Sequence, residues 1–118
     1  MTEIIQQYLR DDIELVRGGD WHETINFYSD DAGTVPLDTT GYTMSMTIQK
    51  SQPNGEPFDE LTVENGKIVH TPASGQFNLS LTAAEIDEYN FTAATYRMVL
   101  DYGDGNKQVF RLGIVKVV

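Results

Sequence analysis

Few side chains in this sequence are of the types and spacings that do chemistry. The 118 residues include no cysteine, which excludes a thiol nucleophile, a disulfide framework and any thiolate metal site. The two histidines are His22 and His70. Neither has a His, Asp or Glu at metal-ligand spacing on a recognisable scaffold. His22 has Asp20 and Glu23 beside it, and both histidines read as exposed strand residues. No Gly-x-Ser-x-Gly elbow occurs. Carboxylates are adjacent at Asp11-Asp12, Asp30-Asp31, Asp59-Glu60 and Asp87-Glu88. A glycosidase needs two carboxyls across a cleft, about 5 to 9.5 Å apart, whereas neighbours on a strand point to opposite faces. Asp101, Asp104 and Asn106 offer three oxygen donors around Gly103 and Gly105, the kind calcium takes. They lack the Asp-x-Asp-x-Asp-Gly register and the trailing Glu, and a hairpin turn accounts for all of them. Gly18-Gly19 leads into no Gly-Lys-Ser/Thr and no helix, so it reads as a tight corner, not a phosphate loop. The expectation is a protein with no catalytic residue, no cofactor and no metal.

The elements that would position these residues are strands. Period-two alternation dominates: Tyr42, Met44, Met46 and Ile48 form one apolar face, Phe77, Leu79 and Leu81 a second, and Tyr96, Met98, Leu100 and Tyr102 a third. Such runs are half-buried antiparallel strands. Trp21 to Tyr28 makes a fourth, with Glu23 interrupting its apolar side and so expected near a strand end. Shorter strands are expected at Ile13 to Val16, Leu61 to Val63 and Lys67 to His70, the last two joined as a hairpin by Asn65-Gly66. Val109 to Val117 closes the pattern. Its apolar phase changes between Phe110, Leu112, Ile114 and Val115, Val117, as a bulge near Gly113 would produce. One short helix is signalled by Thr82-Ala83-Ala84-Glu85, a capping box with Leu81 and Ile86 at the staple positions, ending near Tyr89-Asn90. Seven or eight short strands with turn signals every 8 to 15 residues mean a sandwich or barrel. Trp21, Phe27, Tyr42, Phe77, Tyr96 and Phe110 fall on inner faces. Tyr8, Tyr28, Tyr89 and Phe91 are the aromatics left for a stacking platform, and they are scattered.

Eighteen Asp and Glu oppose eight Lys and Arg, a net charge of -10. That balance excludes a protein built to neutralise phosphates and a basic membrane-surface helix, so neither nucleic acid nor membrane is an expected partner. No apolar run approaches the ~18 residues of a membrane span. The opening Met1 to Arg10 lacks the basic end, apolar run and cleavage site of a signal peptide, so synthesis in a cytoplasm is expected. Residues 1–12 lie outside the strand pattern and are read as an N-terminal arm, with residues 13–118 as the sandwich domain. Ile4, Ile5, Tyr8 and Leu9 are apolar at i, i+4 spacing. They are the candidate partner-binding residues, as a short helix on a neighbouring subunit. The alternative is a frayed terminus.

Four segments in this order resemble a known family. Ile13 to Asp20 resembles the "strand, Arg-Gly-Asp" opening of small β-sandwich structural proteins of tailed bacteriophages, with a second glycine inserted here. Gly33 to Thr43 is similar to the family's "Gly, Pro, Leu/Ile-Asp-Leu-Thr-Gly-Tyr/Ala-Thr" loop and strand, with Thr39 in place of the usual Leu. Gly75 to Glu85 resembles the strand and helical turn that follow, and Tyr96 to Val117 the terminal hairpin. The match covers residues 13 to 118 and extends to the N-terminal domain of phage baseplate upper proteins. The resemblance implies an all-β fold, an immunoglobulin-like antiparallel β-sandwich of 7–8 short strands with one short connecting helix. It also implies a non-enzymatic virion protein, made in the bacterial host cytoplasm. Such a protein would be an assembly module of the tail, baseplate or fibre-adaptor region, docked to other virion proteins as a homo-oligomer. The alternatives are a capsid decoration protein and a carbohydrate-binding module for host attachment.

Overall fold

The computed structural model describes residues 9–49 and 57–118. Nine strands run in the order β1 Leu9–Arg10, β2 Ile13–Leu15, β3 Trp21–Asn26, β4 Thr43–Gln49, β5 Pro57–Thr62, β6 Ile68–Thr71, β7 Gln76–Leu81, β8 Ala93–Asp101 and β9 Lys107–Val117. A 3-10 turn, Pro72–Ser74, separates β6 from β7, and the helix α1, Ala83–Asp87, separates β7 from β8. The larger sheet has the order β1-β9-β8-β4-β5 with β2 also on β9, and the smaller the order β3-β7-β6. This is an immunoglobulin-like sandwich. Counting β1 and β2 as one interrupted strand along β9 gives eight.

The sheets face each other through the alternating residues. Met44, Met46 and Ile48 of β4, Phe77, Leu79 and Leu81 of β7, and Ala94, Tyr96, Met98 and Leu100 of β8 are all buried. Phe27 sets its ring edge-on to Phe77 and Phe110, with centroids 5.9 and 5.5 Å apart. Each fully buried side chain of this size contributes about 1.5–3 kcal/mol. The helix forms where the capping box places it. Thr82 Oγ1 accepts from the Glu85 N–H at 3.2 Å, and the Thr82 N–H donates to Glu85 Oε1 at 2.9 Å. Helical geometry ends at Asp87, two residues short of the expected end at Tyr89.

Several expectations change. β1 and β2 pair with β9 in parallel, not antiparallel. From Leu9 the chain already runs in this sheet; Ile4, Ile5 and Tyr8 lie outside the described residues. Glu23 sits in the middle of β3, opposite Leu79, and not at a strand end. Asn65-Gly66 does not close a hairpin. Leu61 pairs with Met46 in the larger sheet and Ile68 with Leu79 in the smaller, so the turn carries the chain between sheets. Asn65 Oδ1 holds that turn, accepting from the Thr62 and Lys67 N–H groups. The bulge in β9 is at Phe110, not Gly113. Met98 pairs with Arg111 but Val99 with Val109, which leaves Phe110 as the extra residue. Phe110 and Arg111 therefore both turn inward, and Leu112 and Ile114 point outward. Gly113 has another role: its backbone approaches the Asp11 carbonyl so closely that a Cβ would collide with it.

Candidate functional site

Most acidic side chains near turns bind backbone. Asp30 accepts from the Thr34 and Val35 N–H groups and from the Thr34 hydroxyl; that hydroxyl bond, first among these, holds its carboxyl below the usual value. Asp12 accepts from the Ile114 N–H, Asp38 from Thr40 and Asp87 from Gly18. Asp101 and Asp104 accept from the Gly103 and Asn106 N–H groups, at 2.9 and 3.0 Å. Two of the three calcium-type donors thus close their own turn. Among the described residues no three His, Asp or Glu side chains are placed to hold a metal ion.

The Arg17 to Asp20 segment clasps the helix. The Arg17 guanidinium donates to the carbonyls of Ile86 and Tyr89 at 3.3 and 2.9 Å, at the C-terminal end of α1. Asp20 Oδ1 accepts from the Ala83 N–H at 2.7 Å, at its N-terminal end. The chain reverses between them at Gly18, whose φ of 89° favours glycine.

Two ionic clusters were not foreseen. Arg111, from the inner face of β9, forms a two-pronged pair with Glu23 of β3 and a 3.1 Å pair with Asp11. Its Nε donates to the Tyr96 hydroxyl at 2.9 Å, and that hydroxyl donates to the Asp11 carbonyl. Burial disfavours the Arg111 charge, but its bonds to Glu23 outweigh this and hold its pKa above the ordinary value. In the sequence Glu23, on an otherwise apolar inner face, is the signal; Arg111 gives none, because the phase Phe110, Leu112, Ile114 places it outward and only the bulge turns it in. In the second cluster Lys67 Nζ lies 3.0 Å from both Asp59 and Glu85, and Tyr89 donates to Asp59 at 2.6 Å. Burial, reinforced by Asp59, pushes the Tyr89 hydroxyl pKa far up. Tyr89 and Phe91 are buried, leaving Tyr28 as the exposed one of the described platform candidates.

The histidines part company. His22 is on the outer face of β3, while Glu23 points inward, so the two do not meet. His70 faces inward, contrary to expectation. Its ring stacks on Phe77 at 4.1 Å and its Nε2 lies 2.7 Å from Thr39 Oγ1. Thr39, fully buried, also donates its N–H to the Pro72 carbonyl. A buried hydroxyl needs a partner, and His70 supplies one.

The outer faces differ. The smaller sheet shows Thr24, Asn26, Gln76, Asn78 and Ser80 with His22, a row of amides and hydroxyls bordered by the exposed Val69 of β6. Thr24 donates to Asn78 and Gln76 to Asn26. The larger sheet shows Val99, Val109, Leu112 and Ile114 beside the hydroxyls of Ser45 and Thr47. Two shallow hollows of about 440 and about 500 Å³ lie on this face, the first lined partly by Asp101 and Lys107, the second by Arg97 and Arg10. Among the described residues, Arg10, Arg97, Lys107 and Lys116 make no ion pair or side-chain hydrogen bond, and all four belong to this sheet. No helix of the described residues is long and apolar enough to cross a membrane.

No protein-family model matches the chain, and no curated protein matches it in sequence.

Proposed function

We propose that this chain is a non-enzymatic structural protein of a tailed-bacteriophage particle, a docking module of the tail, baseplate or fibre-adaptor region. The observation that carries the docking reading is the outer face of the larger sheet. In a chain of net charge -10, that sheet holds four cations unpaired among the described residues, Arg10, Arg97, Lys107 and Lys116, around a patch of half-buried aliphatic side chains. Exposed faces of mixed aliphatic and unpaired charged character mark association surfaces. The order of the four segments from Ile13 to Val117 supports the phage setting. The acids turned onto backbone N–H groups fit a module that does no catalysis. Mass spectrometry and cryo-EM of the purified particle test the reading. The chain is expected as a tail or baseplate component in stoichiometric copy number. Its absence from the particle, or its presence on the shell as a decoration protein, would overturn the tail assignment.

A second reading, carbohydrate binding, is favoured by the uncharged amide and hydroxyl face of the smaller sheet, with Tyr28 exposed at the end of β3. Sugar hydroxyls pair with such groups and stack on such rings. A glycan array without hits would remove it.

A further inference from the structure

The outward residues of β8 are Ala93, Thr95, Arg97, Val99 and Asp101, and the last three read a cation, an apolar side chain and an anion along one strand face. Reversed, that series is complementary to itself. The neighbouring strands repeat the symmetry. Val99 lies beside Val109 of β9 and Ser45 of β4, so a line of small and aliphatic side chains crosses the sheet at the midpoint. The two hollows flank this line, one holding Asp101 and the other Arg97, and they are of similar volume.

We propose that this face packs against the same face of a second copy, about a two-fold axis lying over the Val99–Val109 line. Val99 then meets Val99 of the other copy, and Arg97 of each lies over Asp101 of the other. Such reciprocity is what an isologous interface requires. Arg97 is exposed and has no partner among the described residues, so pairing gives it one without breaking a bond seen there. The opposed faces span four strands, about 20 Å by about 24 Å. This is roughly three-fifths of the ~800 Å² per partner of a standard interface, the size of a weak, reversible dimer. The proposal rests on the docking reading and names its partner.

Sedimentation equilibrium of the full chain tests it. The expected result is a monomer–dimer equilibrium with a dissociation constant in the micromolar range. Arg97→Asp and Asp101→Arg should each weaken the dimer about tenfold or more, and the double exchange R97D/D101R should restore it. Because Asp101 also holds its turn, Val99→Glu provides an independent arm and should abolish the dimer with an unchanged melting temperature. A wild-type chain monomeric at about 1 mM, or a dimer indifferent to R97D and V99E, would overturn the proposal. A monomeric chain still found in the particle would reject this pairing and leave the docking reading standing. A dimer absent from any particle would do the reverse.

Discussion

Arg111 carries its charge between the sheets because Glu23 and Asp11 meet it there, from β3 and from the edge beside β9. The pair is largely withdrawn from water, with side-chain exposures of 11% for Arg111 and 23% for Glu23. Removing one member leaves the other charged and stranded, at a cost of about 2–4 kcal/mol. Arg111→Met should therefore lower the urea-unfolding free energy by about that much, and the double variant R111M/E23L should recover most of the loss. A double variant as unstable as the single would mean the residues are not coupled. His70 makes a second residue-scale prediction. Burial lowers its pKa from 6.5. As pH falls, the unfolded chain takes up that proton before the folded one does. Stability is thus complete above about pH 6.5 and declines below it, until the folded state is protonated too. His70→Gln keeps a hydrogen-bonding partner for Thr39 but does not titrate, so it should flatten the pH dependence below about pH 6.5. An unchanged slope would place the effect elsewhere.

At the scale of elements, the alternating runs were legible because one face of each strand is buried and period two survives any register. β4, β7 and β8 follow their pattern throughout, and the capping box located α1 because its bonds are local. What could not be read depends on the partner strand. The sequence pattern puts the bulge three residues late because Leu112 and Ile114 are apolar on an outward face, which extends the apparent core. Asn65-Gly66 looks the same whether its flanking strands pair or part. Glu23 interrupts an apolar face in sequence, yet only the opposite sheet shows that Arg111 receives it. The Arg17 clasp likewise joins residues about 70 positions apart. Arg17→Ala should cost about 1 kcal/mol and speed amide exchange in residues 83–89 more than in β7. Equal acceleration in both would argue against a local clasp. Truncation separates arm from edge. Removing residues 1–8 should leave the melting temperature near wild type and, if Ile4, Ile5 and Tyr8 dock on a neighbour, weaken assembly. Removing residues 1–12 also takes Asp11 from Arg111, and should lower it by several degrees. Normal assembly of the shorter truncation would reject the arm.

For the whole molecule the charge of -10 sets the conditions of association. Two such copies repel over a Debye length of about 30 Å at 0.01 M salt and about 8 Å at 0.15 M. Contacts between Arg97 and Asp101 act within a few ångströms, so moderate salt screens the repulsion more than the pairing. Self-association should strengthen as salt rises over that range, and a decrease would show that the local pairs outweigh the global field. The parallel edge has a consequence in time. β9 is made after every strand it joins, yet it is the partner of β1, β2 and β8 and the source of Arg111. Ile13 meets Val115 only after a loop of about a hundred residues has closed. A nascent chain therefore holds β8 with one bare edge, and Glu23 and Asp11 without their counter-ion, until β9 clears the ribosome. Folding is expected to be slow, in milliseconds to seconds, with the unfinished sheet as the species most exposed to aggregation.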